Sequence, residues 1–152
     1  MITIGKKAPD FTLVDKNNNS ISLADLAGKK IVLYFYPKDD TPGCTKEAIG
    51  FSDHLAAFES KNTLVLGVSK DSVKSHEKFC TKHDLKHNLL SDPDCKMIED
   101  YDAWKEKSMY GKTYMGIQRS TVLLDEAGVV LQHWPKVKVT GHVDAVLASL
   151  DK

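Results

Sequence analysis

Several things are scarce in these 152 residues, and each scarcity removes a class of function. Charge of one sign is not in excess, because 21 basic residues face 21 acidic ones. No field of the whole chain therefore recruits nucleic acid or an anionic membrane surface. No apolar run approaches the length that spans a bilayer, and the start Met-Ile-Thr-Ile-Gly-Lys-Lys-Ala-Pro has no apolar stretch after its lysines, so a cytoplasmic location is expected. Cysteine is limited to Cys44, Cys80 and Cys95, an odd number with no Cys-x-x-Cys pair. That argues against a secreted disulfide framework and against a vicinal dithiol motif. Arginine is scarcest: twenty of the basic residues are lysine, and Arg119 stands alone.

What is present suits one domain, residues 1–152, with an ordinary 41% of hydrophobic residues to build a core. Residues 11–14 and 20–23 read as short strands around the turn-forming Lys16-Asn17-Asn18-Asn19, a hairpin expected to lie as a flap before the main sheet. Residues 26–30 read as a helical turn or loop. The apolar runs 31–36 and 64–69 read as buried strands. Between them Ala48, Phe51, Leu55 and Phe58 recur at helical spacing, predicting one helix over 45–60 that Asn62 ends. Asp71 or Ser72 is expected to cap a helix to His83, before a strand at 88–90 and a helical piece to Tyr101. The alternation implies parallel βαβ units. Residues 104–115 read as an aromatic-rich loop. Strands 121–125 and 129–134 flank Glu126-Ala127-Gly128, and Thr140 is expected to cap a last helix carrying Val143, Val146, Leu147 and Leu150 on one face.

The chemistry concentrates where the first buried strand ends, at Tyr36-Pro37-Lys38-Asp39-Asp40-Thr41-Pro42-Gly43-Cys44. Thr41 before Pro42 is a helix-start signal: threonine can cap free N–H groups, and proline at the first helical position has none to leave unpaired. Cys44 then falls in the first turn, where unpaired N–H groups and the positive end of the helix dipole favour a thiolate. Taken alone, such a cysteine could equally be small apolar filler.

The run Pro37-x3-Thr41-x2-Cys44, within Tyr-Phe-Tyr-Pro-Lys-Asp-Asp-Thr-Pro-Gly-Cys-Thr-Lys-Glu-Ala, resembles the active-site signature of peroxiredoxins, and more narrowly of their bacterioferritin comigratory protein, or Q-type, subgroup. Gly-Ile-Gln-Arg119-Ser-Thr is similar to the family's arginine motif, and the likeness runs from Gly5-Lys6-Lys7-Ala8-Pro9-Asp10-Phe11 to the last helix. The resemblance implies a thioredoxin-like α/β fold with an added N-terminal hairpin and a mixed central sheet flanked by helices. It implies a thiol peroxidase for hydrogen peroxide and organic hydroperoxides, without metal or organic cofactor. Cys44 would be the peroxidatic cysteine, assisted by Thr41, Arg119 and Pro37, with Gly43 at the substrate. Glu47 either orients Arg119 or is a solvated helix carboxylate.

Many relatives place a resolving thiol where this chain has Ile49; others use a cysteine on the following helix, which matches Cys80. Cys80 could instead simply fill core space. If it resolves, the sulfurs are expected to be apart in the reduced protein, with local unfolding on oxidation, because a disulfide needs Cα atoms within about 7 Å. Cys95 matches no catalytic position. The resemblance implies a monomer recycled by thioredoxin or a glutaredoxin; a one-cysteine enzyme recycled by an external thiol is the alternative. Two other classes stay open. His76, Cys80, His83 and His87, with Cys95 beyond, could form a metal or redox-sensing site, although the histidines read more simply as a solvated helix face. The 104–115 segment could serve a non-enzymatic binding module or holdase.

Overall fold

The computed structural model describes residues 2–151, so the first and last residues of the expected 1–152 unit lie outside the described residues. The elements are β1 (Thr12–Asp15), β2 (Ser20–Ser22), a 3-10 turn (Ala24–Leu26), β3 (Lys30–Phe35), α1 (Pro42–Asp53), α2 (Leu55–Glu59), β4 (Thr63–Ser69), α3 (Val73–His83), β5 (Asn88–Ser91), α4 (Lys96–Asp100), β6 (Trp104–Met109), β7 (Lys112–Ile117), β8 (Ser120–Leu124), β9 (Val130–Trp134) and α5 (His142–Ser149). Seven strands form a mixed sheet in the order β2-β1-β5-β4-β3-β8-β9, and β6 and β7 form a separate two-stranded ribbon. The parallel pairs β3–β4 and β4–β5 are the expected βαβ units.

The pleat of β3 separates two cores. Ile31, Leu33 and Phe35 face one side, packed with Met97, Ile98 and Tyr101. Val32, Tyr34 and Tyr36 face the other, under α1, α2, α3 and α5, packed with Phe51, Phe58, Phe79 and Val146. Cys44 and Cys80 belong to this second core, whereas Cys95 packs against the first.

The structure corrects four local expectations. The N-terminal hairpin is not a flap: β1 pairs antiparallel with β5 and extends the sheet. Asp15 fixes its turn by accepting from the backbone N–H groups of Asn17 and Asn19, both at 2.9 Å. The single helix over 45–60 is two, parted at His54, whose ring Nδ1 and backbone N–H both turn to the Gly50 carbonyl. Residues 104–117 are not a loop but the β6–β7 ribbon, closed at Tyr110-Gly111 with φ of 52° and 77°, the left-handed pair a two-residue hairpin requires. Most of its side chains face solvent, so no alternation of polar and apolar residues announced it. Finally, Gly141 rather than Thr140 takes the N-cap of α5, and it does so without a side-chain bond. Ser72 does cap α3, its Oγ accepting from Ser75 N–H at 3.1 Å.

Candidate active site

Two neighbouring strand ends build the site. β3 leaves the sheet at Tyr36 and Pro37, and α1 opens at Pro42 with Thr41 in the N-cap position, which puts buried Cys44 in the first helical turn. The N–H groups there have no partner inside the helix, so they present positive potential to the sulfur. β8 runs antiparallel to β3 with Ser120 opposite Phe35, so Arg119 stands at the same edge of the sheet. One guanidinium nitrogen donates to Cys44 Sγ at 3.2 Å and the other to Glu47 Oε1 at 2.8 Å. Cys44 and Glu47, three apart on α1, therefore hold the two prongs of one fork.

Glu47 is fully buried, which rules out the solvated reading. Burial pushes its carboxyl up to about 7, against the opposing pull of Arg119, and its Oε2 is buried without a hydrogen-bond partner among the described residues. Burial also works against the charge on Arg119, but Glu47 and Cys44 outweigh it and hold the guanidinium further towards the protonated form. Gly43 has a packing reason: a Cβ built there would come within 3.2 Å of the Arg119 guanidinium. Pro37 is half-buried before the loop. Thr41 differs from expectation, since its hydroxyl does not cap α1 but donates to the Lys38 carbonyl at 2.8 Å.

Cys80 lies in α3 on the same sheet face as Cys44; both are free thiols. Burial pushes the Cys80 thiol up, with Lys16 opposing and Asp39 adding to the rise. Cys95 occupies the left-handed N-cap of α4, its thiol also pushed up by burial.

The histidines do not gather as a metal site, nor are they a solvated face. His76 is fully buried between Asp39 and the Leu90 carbonyl, His87 is buried against the Tyr34 hydroxyl at 2.6 Å, and His83 bonds Asp40. Asp39, Asp71 and His76 bring ligand-type atoms within 4.8 Å of one another, but those atoms are already used in hydrogen bonds.

Sequence reasoning missed Lys107, on β6. Burial pushes its ammonium down, Arg119 adds to that and Cys44 opposes it, which identifies a second cation in the field of the sulfur. Nothing in a chain of twenty lysines marked this one.

The profile of the AhpC/TSA family matches residues 4–133. A putative peroxiredoxin bcp of Coxiella burnetii is 52% identical over 149 residues, covering 98% of this chain and 99% of the relative. Among solved structures, a peroxiredoxin Q of Xylella fastidiosa superposes with a TM-score of 0.94 at 39% identity, covering 99% of this chain and 96% of its own. The bacterioferritin comigratory protein of Xanthomonas campestris, described for its alkyl peroxide reduction activity and trapped with intermediate and ligand, superposes at 0.89 with 47% identity, covering 93% and 90%. These structures share the thioredoxin-like architecture described above. With a site assembled from a helix-start cysteine and a strand-end arginine, the chain belongs to the AhpC/TSA family of peroxiredoxins, in its Bcp, or peroxiredoxin Q, branch.

Proposed function

We propose that Cys44 is the peroxidatic cysteine of this thiol peroxidase and that Arg119 directs its reaction. The observation that carries the reading is the continuous chain from Glu47 through the guanidinium to Sγ, at 2.8 and 3.2 Å. The Cys44 thiolate attacks the terminal oxygen of the hydroperoxide. A sulfur–oxygen bond forms, the oxygen–oxygen bond breaks, and the departing alkoxide or hydroxide takes up a proton. Negative charge moves from sulfur to oxygen along a path faced by Arg119 and by the N–H groups of Gly43 and Cys44. Preorganised donors of this kind are worth several kcal/mol in a site shielded from water. Pro37 contributes no competing donor, and Glu47 orients the fork. Thr41 supplies a hydroxyl to the peroxide after letting go of the Lys38 carbonyl.

The sulfenic acid on Cys44 is then resolved by Cys80. A sulfur–sulfur bond forms, the sulfur–oxygen bond breaks, and the hydroxyl leaves as water with the thiol proton. The shared sheet face of Cys44 and Cys80 favours this partner over Cys95. Thioredoxin or a glutaredoxin reduces the disulfide by exchange, in a monomer working in the cytoplasm. Hydrogen peroxide and organic hydroperoxides are the substrates, in line with the alkyl peroxide activity described for the Xanthomonas relative.

Non-reducing mass spectrometry after one equivalent of hydrogen peroxide tests the resolving step. A Cys44–Cys80 disulfide is expected. Cys44 joined to Cys95 would remove Cys80 from the mechanism, and a lone sulfenic acid would favour recycling by an external thiol.

A further inference from the structure

The loop that delivers Cys44 also grips both ends of the helix that carries Cys80. Asp39, buried, takes hold of the first turn of α3: its Oδ2 accepts from Ser75 Oγ and from the ring Nδ1 of His76, both at 2.7 Å. Its Oδ1 accepts from the Tyr36 hydroxyl at 2.6 Å, and its backbone N–H donates to Asp71 Oδ2 at 2.9 Å. The other side of the His76 ring donates Nε2–H to the Leu90 carbonyl at 3.0 Å. The next residue, Asp40, takes hold of the last turn, accepting from Lys82 Nζ at 2.7 Å and His83 Nε2 at 2.8 Å. Its left-handed backbone, φ 59°, turns the chain between the two grips, a conformation aspartate tolerates better than most residues.

Cys80 lies between these grips. Its thiol packs in the same core as Cys44, while Cys44 is engaged by Arg119. Bringing two sulfurs to a bond of about 2.05 Å with χ3 near 90° demands a specific mutual geometry, and both thiols are free here. Movement of α3 relative to the loop that carries Asp39 and Asp40 parts Ser75 and His76 from Asp39, or Lys82 and His83 from Asp40.

We propose that Asp39 and Asp40 are positioning residues of the resolving step, a two-point clamp that keeps the Cys80 helix folded and sets how long the oxidised Cys44 persists. The proposal rests on Cys80 being the resolving thiol. It separates the two half-reactions: weakening the clamp raises the rate of disulfide formation and leaves attack on peroxide alone. A destabilised native contact that is absent from the opened state speeds opening rather than closing. Faster resolution also shortens the time in which a second peroxide can convert the sulfenic acid to sulfinic acid.

The test is rapid-mixing kinetics on the full chain, following sulfenic acid formation and disulfide formation separately, in wild type, Asp40→Asn and Ser75→Ala. Asparagine accepts the left-handed backbone at position 40, so that variant isolates the outer grip. Disulfide formation is expected to quicken about two- to fivefold in Asp40→Asn, as an exposed ion pair allows. In Ser75→Ala it should quicken about tenfold, as loss of a bond to a buried carboxylate allows. The peroxide step measured in a Cys80→Ser background should not change, and sulfinic acid at a fixed peroxide excess should fall. Disulfide formation that is unchanged or slower in both variants overturns the clamp. Absence of any Cys44–Cys80 disulfide in the wild type instead overturns the resolving assignment beneath it, a result distinct from a disulfide forming at an unaltered rate.

Discussion

Cys44 and Cys80 sit in one hydrophobic core, on one face of one sheet, and both are buried, yet their surroundings are opposite. Cys44 meets a guanidinium at 3.2 Å and a helix start, with Lys107 adding to the field. Cys80 lies in the second half of α3 between Phe79 and a surface cleft shared with Lys16 and Asp84, and burial pushes its thiol up. Burial by itself therefore does not tell these two cysteines apart. The charges aimed at the sulfur do, and they come from strand ends and helix starts that the sheet register brings together.

That contrast can be broken at its sharpest point first. Cys44→Ser should abolish peroxide reduction, whereas Cys80→Ser should keep the first turnover intact and lose only the disulfide; stopped-flow peroxide consumption distinguishes the two. Next in size is the guanidinium. Arg119→Ala should lower the second-order rate constant with peroxide about 10²- to 10³-fold, the range seen when one preorganised donor is removed. The fold should remain by circular dichroism, and an unchanged rate would remove Arg119 from the mechanism.

Glu47 sharpens the comparison through pH. Its folded carboxyl, up to about 7 from an ordinary 4.5, holds a proton that the unfolded chain releases earlier. The folded state therefore binds more protons between those values, so this group's contribution to stability is fully present below about 4.5 and is lost as pH rises through about 7. The loss is on the order of 3 kcal/mol. Denaturant titrations at pH 5 and pH 8 should show that slope in the wild type and a flatter one in Glu47→Gln. The smallest effect belongs to Gly43→Ala. The added methyl would crowd the Arg119 guanidinium by a few tenths of an ångström, and peroxide reactivity should fall by less than about tenfold with little change in thermal stability.

Much of this site was legible because its signals are local. Thr41-Pro42 marks a helix start, a strand break before it fixes where the cysteine goes, and a lone arginine before another strand invites explanation. The antiparallel pairing of Phe35 with Ser120 then brings that arginine to the edge of the sheet where β3 ends. The hydroxyl of Thr41 went elsewhere because the Lys38 carbonyl in the preceding turn competes for it. Lys107 and the Asp39–His76 pair were invisible because their meaning lies in contacts between elements far apart in sequence. The β6–β7 ribbon escaped because a strand pair exposed on most of its surface has no buried face to print a period on the sequence. The histidines of α3 and the turn after it read as solvated because a helix that is polar on most sides does not reveal which polar residue it buries.

The central claim is that these two similarly buried sulfurs differ in what faces them. Brief exposure of the reduced wild type to substoichiometric hydrogen peroxide, with a sulfenic-acid-specific carbon nucleophile present and peptide mass spectrometry as readout, measures that difference site by site. The account predicts that early label falls on Cys44 and not on Cys80 or Cys95. Label appearing on Cys80 as fast as on Cys44 would contradict it.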